Sequence, residues 1–127
     1  MTPDGPFRVL VVEDESLMRW SVAQALTGRG HTVVEAADGA AAMRLLEETP
    51  ADVVLLDYRL PDSDDFALLR DIRRLAPATP VVLMTAFGTP ELSDRARALG
   101  ASDVLQKPFD VFRVDGVLRR ACGSSVH

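Results

Sequence analysis

The chain has 127 residues, of which 47% are hydrophobic and 26% are charged, and its formal net charge is -5. This length suits one domain with a real core and is too short for two ordinary domains. The acidic balance argues against a nucleic-acid surface, because such surfaces need clustered Lys and Arg. The lone Cys122 excludes an internal disulfide, and no apolar run has the length of a membrane span. We therefore expect a cytoplasmic protein that binds neither nucleic acid nor membrane directly.

Strand-like and helix-like patterns alternate along the chain. Apolar, β-branched runs predict strands at residues 7–12, 31–35, 51–57, 80–85 and 103–106. Apolar residues at helical spacing predict helices at about residues 15–28, 38–48, 65–75, 90–99 and 110–121. Gly28 and Gly30 should end the first helix, and Pro90 should open the fourth. This alternation predicts an α/β fold, a doubly wound parallel sheet of five strands with helices on both faces in three layers.

Polar side chains stand where four of the apolar runs stop. These residues are Glu13, Asp14, Asp57, Thr85 and Lys107. Parallel strands all point one way, so residues that end different strands converge on one edge of the sheet, where ligands bind. Carboxylate oxygens suit Mg²⁺, and a lysine suits a phosphoryl group as a point charge. The pattern therefore indicates a small site that holds a divalent cation and a phosphoryl group together.

The order of these motifs resembles the phosphoacceptor site of bacterial response-regulator receiver domains. The motifs are Glu13-Asp14 after the first strand, Asp57 after the third, Thr85-Ala86 after the fourth and Lys107-Pro108-Phe109 after the fifth. The resemblance implies a flavodoxin-like fold with strand order 2-1-3-4-5. It also implies a single receiver domain over residues 1–127, with a core at about 8–120. The stretches 83–88 and 107–110 look most like the receivers of enhancer-binding transcription activators.

The resemblance implies a role for each residue at the convergent edge. Asp57 would be the nucleophile that takes a phosphoryl group from a sensor histidine kinase, a phosphotransfer protein or a small phosphodonor. Lys107 and Thr85 would contact that phosphoryl group, and Ala86 would leave room for it. Mg²⁺ or Mn²⁺ would be held by Glu13, Asp14, Asp57 and the backbone carbonyl of Arg59. Such a protein is not an enzyme in the usual sense, since it catalyses only its own phosphorylation and dephosphorylation.

Two surfaces are expected to meet partners. Trp20 lies almost opposite the predicted buried stripe of the first helix, alongside Ala23, and should be at least partly exposed. Either it anchors the helical bundle of the kinase, or its ring folds over a neighbouring helix. Pro108, which follows Lys107 at a bond that is often cis in this family, is placed with Trp20 among the partner-binding residues. The resemblance also implies a responding face built from the fourth helix, fifth strand and fifth helix, through which a homodimer could form.

Three residues depart from the family pattern. Asp65 stands where the family usually has glycine, so the loop there should be strained or rearranged. Val104 stands where most receivers carry a tyrosine or phenylalanine that changes rotamer on activation. Phe87 puts a bulky side chain at the mouth of the site, where it could slow the attack of water on an aspartyl phosphate.

Plainer interpretations stand beside the functional ones. Glu13 and Asp14 could be helix caps, Thr85 a strand-ending residue and Lys107 a solvated lysine. His31 is interpreted as a turn residue and His127 as a tail.

Other classes of function also stay open. The chain could be a degenerate receiver that acts as an interaction module, or a small Mg²⁺-dependent phosphohydrolase. Hydrolases of the haloacid dehalogenase type carry a second aspartate where this chain has Arg59. A stand-alone regulator and a receiver joined to an output domain both fit the sequence.

Overall fold

The computed structural model describes residues 6–63, 66–86 and 88–124. Within these residues, strands and helices alternate in the order β1 (Arg8–Val12), α1 (Ser16–Thr27), β2 (Thr32–Ala36), α2 (Gly39–Glu48), β3 (Val53–Asp57), α3 (Ala67–Leu75), β4 (Val81–Thr85), α4 (Pro90–Ala98), β5 (Asp103–Gln106) and α5 (Val111–Ser124). The strands form a parallel sheet in the order β2-β1-β3-β4-β5. The predicted fold class and strand order are confirmed.

Local sequence signals account for the helix ends. The Asp38 side chain accepts a hydrogen bond from the Ala41 N–H at 2.8 Å, and Thr89 caps α4 through the Leu92 N–H at 3.1 Å. Gly30 and Gly100 follow α1 and α4 with φ values of 93° and 109°, a left-handed conformation that favours glycine. The largest difference from the predicted boundaries is at α5, which continues past residue 121 to Ser124.

Buried side chains cover both faces of the sheet and create three layers. Every residue of β3 and β4 is buried, as expected for central parallel strands. One face packs against α2, α3 and α4 through Leu10, Leu56, Leu83, Ala42, Ile72 and Ala96. The other packs against α1 and α5 through Val11, Leu55, Val82, Val22, Leu26 and Leu118. This core fixes the strand ends at which the polar residues lie.

The buried face of α1 is wider than the helical wheel predicts. Ala23 was expected on the exposed side with Trp20, but it is only 4% exposed, so that expectation is wrong. The reason is that α1 contacts α5 as well as β1 and β2, which covers a second side of the helix. Trp20 is 56% exposed, as expected, and Leu17 beside it is 69% exposed.

His31 is a buried residue and not the turn residue that the sequence suggested. Its Nδ1 accepts the Phe7 N–H at 2.9 Å, and its ring stacks on the Phe7 ring with centroids 5.2 Å apart. Because Nδ1 is an acceptor, Nε2 carries the proton that it shares with Asp115 Oδ1 at 2.6 Å. Burial acts to raise the pKa of Asp115, but hydrogen bonds from His31 and Arg119 outweigh it and hold that pKa below 3.8. This cluster joins α5 to the amino-terminal edge of the sheet, away from the convergent edge.

No helix among the described residues is both long and apolar enough to cross a membrane.

Candidate active site

The register of the parallel strands brings the predicted polar residues to one edge. Leu56 lies beside Val12, and Thr85 lies beside Gln106, so the residues at or just after these positions project from the same end of the sheet. They surround an open pocket of about 270 Å³. The pocket is lined by Glu13, Asp14, Glu15, Asp57, Tyr58, Arg59, Thr85, Ala86 and Lys107.

Three carboxylates in this pocket form a cluster with the chemistry of a metal site. Each of Glu13, Asp14 and Asp57 offers an oxygen, and these atoms lie within 4.8 Å of one another. Glu13 and Asp57 are 1% and 7% exposed, whereas Asp14 faces solvent. Like charges this close repel one another, and a divalent cation relieves the repulsion. The all-oxygen donor set fits Mg²⁺ or Mn²⁺.

Lys107 is held between two of these carboxylates and is not a solvated lysine. Its Nζ lies 2.6 Å from Glu13 Oε1 and 3.3 Å from Asp57 Oδ1, and its side chain is 18% exposed. Burial acts to lower the pKa of Lys107, but the hydrogen bond to Glu13 and the charges of Asp57 and Glu13 outweigh it and raise the pKa above 10.5. Lys107 is also the only lysine in the chain. The ammonium therefore stays charged and points into the carboxylate cluster.

Glu13 is a buried acid and not a helix cap. Burial raises its pKa to about 7, even though the hydrogen bond from Lys107 acts to lower it. The α1 cap is Glu15, whose side chain accepts the Met18 N–H at 2.9 Å. Glu13 Oε2 accepts the Glu15 N–H at 3.2 Å, while Arg19 donates to the Glu13 backbone carbonyl at 2.8 Å. These bonds fix Glu13 at the end of β1 with one oxygen directed to Lys107.

The last residue of β3 is Asp57, and the loop after it carries Arg59, the predicted carbonyl ligand. The Tyr58 N–H donates to the Met84 carbonyl at 2.8 Å, which continues the pairing of β3 with β4 beyond Asp57. The Arg59 N–H lies 3.4 Å from Asp57 Oδ1. Arg59 therefore lies beside the acidic cluster, where the family resemblance implies that its backbone carbonyl is a metal ligand.

Thr85, Ala86 and Pro108 complete the predicted set. Thr85 ends β4 and is 1% exposed, while Ala86 follows at the exposed pocket wall. The Lys107 N–H donates to the Thr85 carbonyl at 2.7 Å, which ties the two strand ends together. The Lys107-Pro108 peptide bond is cis, and Pro108 is exposed. Val104 is partly buried in β5 and packs against the core.

Three residues singled out in the sequence, Asp65, Phe87 and His127, lie outside the described residues. Sequence reasoning missed Asp62, whose two carboxylate oxygens accept hydrogen bonds from the amino terminus of α2. No sequence signal marks it, because its partners lie more than twenty residues away.

The fold and this acidic edge define the class of the protein. The chain belongs to the response regulator receiver domain family, whose family model matches residues 9–118. Receivers of response regulators belong to two-component systems, bind Mg²⁺ at an acidic pocket and partner with histidine kinases.

Relatives refine this assignment. The chain is 38% identical over 113 residues to the DNA-binding transcriptional regulator NtrC of Escherichia coli K12, covering 89% of this chain and 24% of that protein. It is 42% identical over 114 residues to the transcriptional regulatory protein TcrA of Mycobacterium tuberculosis H37Rv, covering 88% of this chain and 44% of that protein. The chain thus spans about a quarter of the length of NtrC.

A solved structure agrees with these relatives. The receiver domain of NtrX from Brucella abortus superposes with a TM-score of 0.84 at 35% identity, over 90% of this chain and 97% of that one. The resemblance to receivers of enhancer-binding activators is confirmed.

Proposed function

We propose that this receiver accepts a phosphoryl group on Asp57 in a Mg²⁺-dependent reaction and relays the signal through a change of conformation. The donor is a sensor histidine kinase or a phosphotransfer protein. One observation carries the proposal: the Asp57 carboxylate ends a fully buried central strand with Lys107 Nζ 3.3 Å from Oδ1 and two further carboxylates beside it. The receiver extends over residues 1–127 with its core at about 8–120, and we place it in the cytoplasm.

The reaction is a transfer between two nucleophiles. An Asp57 carboxylate oxygen attacks the phosphorus of the donor's phosphohistidine, a P–O bond forms, and the P–N bond breaks with its electron pair left on the imidazole. A bound Mg²⁺ supplies positive charge that offsets the phosphoryl oxygens and the carboxylates. The chain's own part is to hold Asp57 at the pocket wall and to offer Glu13, Asp14 and the Arg59 carbonyl as further oxygen ligands. Water then hydrolyses the aspartyl phosphate and restores the Asp57 carboxylate. The protein therefore acts only on its own phosphoryl group.

Three residues of the opposite wall recognise the attached group. The Lys107 ammonium, now 3.3 Å from Asp57 Oδ1, makes a charge-assisted hydrogen bond to a phosphoryl oxygen. The Thr85 hydroxyl turns to a second oxygen, and the small Ala86 side chain leaves space for the group. When Lys107 exchanges its carboxylate partners for phosphoryl oxygens, the ends of β4 and β5 move.

The responding face is built from α4, β5 and α5. Phosphorylation adds roughly -1.5 to -2 charge to the acidic edge, which biases a packed element between two arrangements. Val104 has no aromatic ring to change rotamer, so the Thr85 hydroxyl acts through the loop that follows it. This face forms the homodimer contact. The match covers only 24% of NtrC, so in a longer regulator of that kind the receiver is joined to an output domain.

The docking surface for the donor includes α1 and the turn after β5. Leu17 and Trp20 are 69% and 56% exposed, and they lie three residues apart on one side of the helix that begins beside Asp14. Exposed large apolar side chains next to a reacting group suit an anchor for a helical partner, and tryptophan is common at such anchors. Pro108 is exposed beside Lys107 and belongs to the same surface.

A phosphodonor assay tests the proposal. Acetyl phosphate or phosphoramidate with Mg²⁺ should add one phosphoryl group, visible by intact mass, and Asp57→Asn should abolish it. Labelling that persists in Asp57→Asn places the acceptor elsewhere. A wild type that takes no phosphoryl group from any donor supports the degenerate interaction module instead, while turnover of external phosphate esters supports the phosphohydrolase.

A further inference from the structure

Two aspartates bind the amino terminus of α2. Asp38 is the local cap and accepts the Ala41 N–H at 2.8 Å. Asp62 comes from the loop after β3, and its Oδ1 and Oδ2 accept the Gly39 N–H at 2.8 Å and the Ala40 N–H at 3.0 Å. The first three amide groups of the helix are thus satisfied by two carboxylates from different parts of the chain.

The Asp62 contact is more than a helix cap, because Asp38 already supplies one. An exposed loop residue that uses both carboxylate oxygens on a distant helix fixes the loop as much as the helix. The two backbone hydrogen bonds hold the pKa of Asp62 below 3.8, so both oxygens are acceptors at neutral pH. Gly39 allows the approach, because a Cβ there would lie 3.2 Å from Asp62 Oδ1 and 3.2 Å from Leu68 Cδ2.

The loop between Asp57 and Asp62 is held at three points around Arg59. Before Arg59, the Tyr58 N–H is bonded to β4 at 2.8 Å. After it, Leu60 is 8% exposed in the core and pairs with Ser63 in a single antiparallel bridge. Asp62 is the point that ties the outer side of this turn to α2. Among the described residues of the turn, Asp62 is thus the one that hydrogen-bonds to α2, while Leu60 packs into the core.

We propose that Asp62 is a positioning residue for the acidic pocket, which ties the loop after β3 to α2 and so holds the Arg59 carbonyl in place as a metal ligand. Within the described residues, Asp62 hydrogen-bonds to α2 and does not line the acidic pocket. The inference rests on the proposed function, because it needs the pocket to bind Mg²⁺ with the help of the Arg59 carbonyl.

A comparison of Asp62→Ala with Asp38→Ala separates positioning from helix capping. Both variants remove hydrogen bonds from the amino terminus of α2, but only Asp62→Ala releases the loop. Mg²⁺ titration by calorimetry should show about tenfold weaker binding for Asp62→Ala, the low end of the loss typical of residues that orient metal ligands. Asp38→Ala should keep the wild-type affinity. Hydrogen exchange should show loss of protection at Gly39 and Ala40 in Asp62→Ala. Equal Mg²⁺ affinity in both variants and the wild type overturns the inference.

Asp62→Asn keeps the test decisive if the alanine variant does not fold. Its side chain has one acceptor oxygen and can accept a hydrogen bond from only one of the two amides. Its Mg²⁺ affinity should therefore lie between that of the wild type and the about tenfold weaker affinity expected when the loop is released. Wild-type affinity together with lost protection at either amide would contradict the inference. Absence of Mg²⁺ binding and of labelling in the wild type would instead refute the proposed function itself.

Discussion

The Lys107 ammonium lies 2.6 Å from the Glu13 carboxylate and joins the ends of two strands that are not neighbours in the sheet. Glu13 follows β1 and Lys107 follows β5, with β3 and β4 between them. Glu13 is 1% exposed, so the ammonium is its main compensating charge. The same ammonium lies 3.3 Å from Asp57 Oδ1, so the pair lies beside Asp57 in the pocket.

Removal of the Lys107 side chain should lower stability, because the buried Glu13 carboxylate loses its compensating cation. Lys107→Ala leaves Glu13 and Asp57 facing one another, so the free energy of unfolding at pH 8 should fall by roughly 1 to 3 kcal/mol without metal. Mg²⁺ should raise the unfolding midpoint more for this variant than for the wild type. Urea unfolding with and without Mg²⁺ measures both effects. Arg120→Ala is the matched control, because it removes an exposed cation and should change stability little. Equal stability of Lys107→Ala and wild type would contradict the expectation.

Asp14 should contribute to metal binding and little to folding. It is exposed and belongs to the acidic cluster, so Asp14→Ala should greatly reduce Mg²⁺ or Mn²⁺ affinity in isothermal titration. Glu15→Gln is the control, since it removes a neighbouring charge while its amide oxygen can still cap α1. Unchanged metal affinity in Asp14→Ala would remove Asp14 from the ligand set.

Thr85 should couple phosphorylation to the response without an aromatic partner at Val104. Thr85→Ala should still be labelled by phosphoramidate, because Asp57 and Lys107 are unchanged. Phosphorylation-dependent dimerisation or partner binding should weaken, since the hydroxyl that draws the following loop is lost. Thr85→Ser keeps the hydroxyl and should behave like the wild type. A full response in Thr85→Ala, measured by analytical ultracentrifugation of the labelled protein, would refute this coupling.

Trp20 should contribute to phosphotransfer from the histidine kinase and not to labelling by a small phosphodonor. Trp20→Ala should weaken phosphotransfer from the cognate kinase by about 1 to 2 kcal/mol of binding, while labelling by acetyl phosphate stays intact. Leu75→Ala, which truncates a 41% exposed side chain on α3, is the control and should affect neither reaction. Equal loss with both donors would show instead that Trp20 supports the fold.

Asp115 should give the protein an acid-sensitive contact. Its pKa in the folded state lies below 3.8, so the ionised form stabilises the fold at pH values above 3.8, and the effect is lost as pH falls through the folded pKa. Asp115→Asn should lower stability near pH 7 by roughly 1 to 3 kcal/mol, and the difference should shrink in strong acid. Urea midpoints between pH 7 and pH 3 measure this. Asp71→Asn is the control, because Asp71 pairs with the exposed Arg74, and its stability should differ little from that of the wild type. A difference that stays constant with pH would contradict the assignment.

Periodicity predicted the doubly wound class and the location of the pocket because both depend on local patterns, whereas the strand order 2-1-3-4-5 came from the family resemblance. Apolar runs that end in Asp57 and Thr85 identify buried strands, and parallel direction then brings their ends together. The contacts of Asp62 and His31 could not be predicted, because each depends on how a loop or α5 packs against an element far along the chain. Ala23 was misplaced for a related reason, since a helical wheel describes one covered face and α1 has two.

The single lysine in the sequence has a practical consequence for chemistry at the pocket. Of the 14 basic residues, 13 are arginine, so a polypeptide of this sequence offers primary amines only at its amino terminus and at Lys107. The carboxylates around Lys107 keep that amine charged and shielded, which suppresses its reaction with acylating reagents. Acylation at this one side chain, followed by mass spectrometry against the amino terminus as an internal reference, would therefore report how accessible the Lys107 amine is, with no label engineered into the protein.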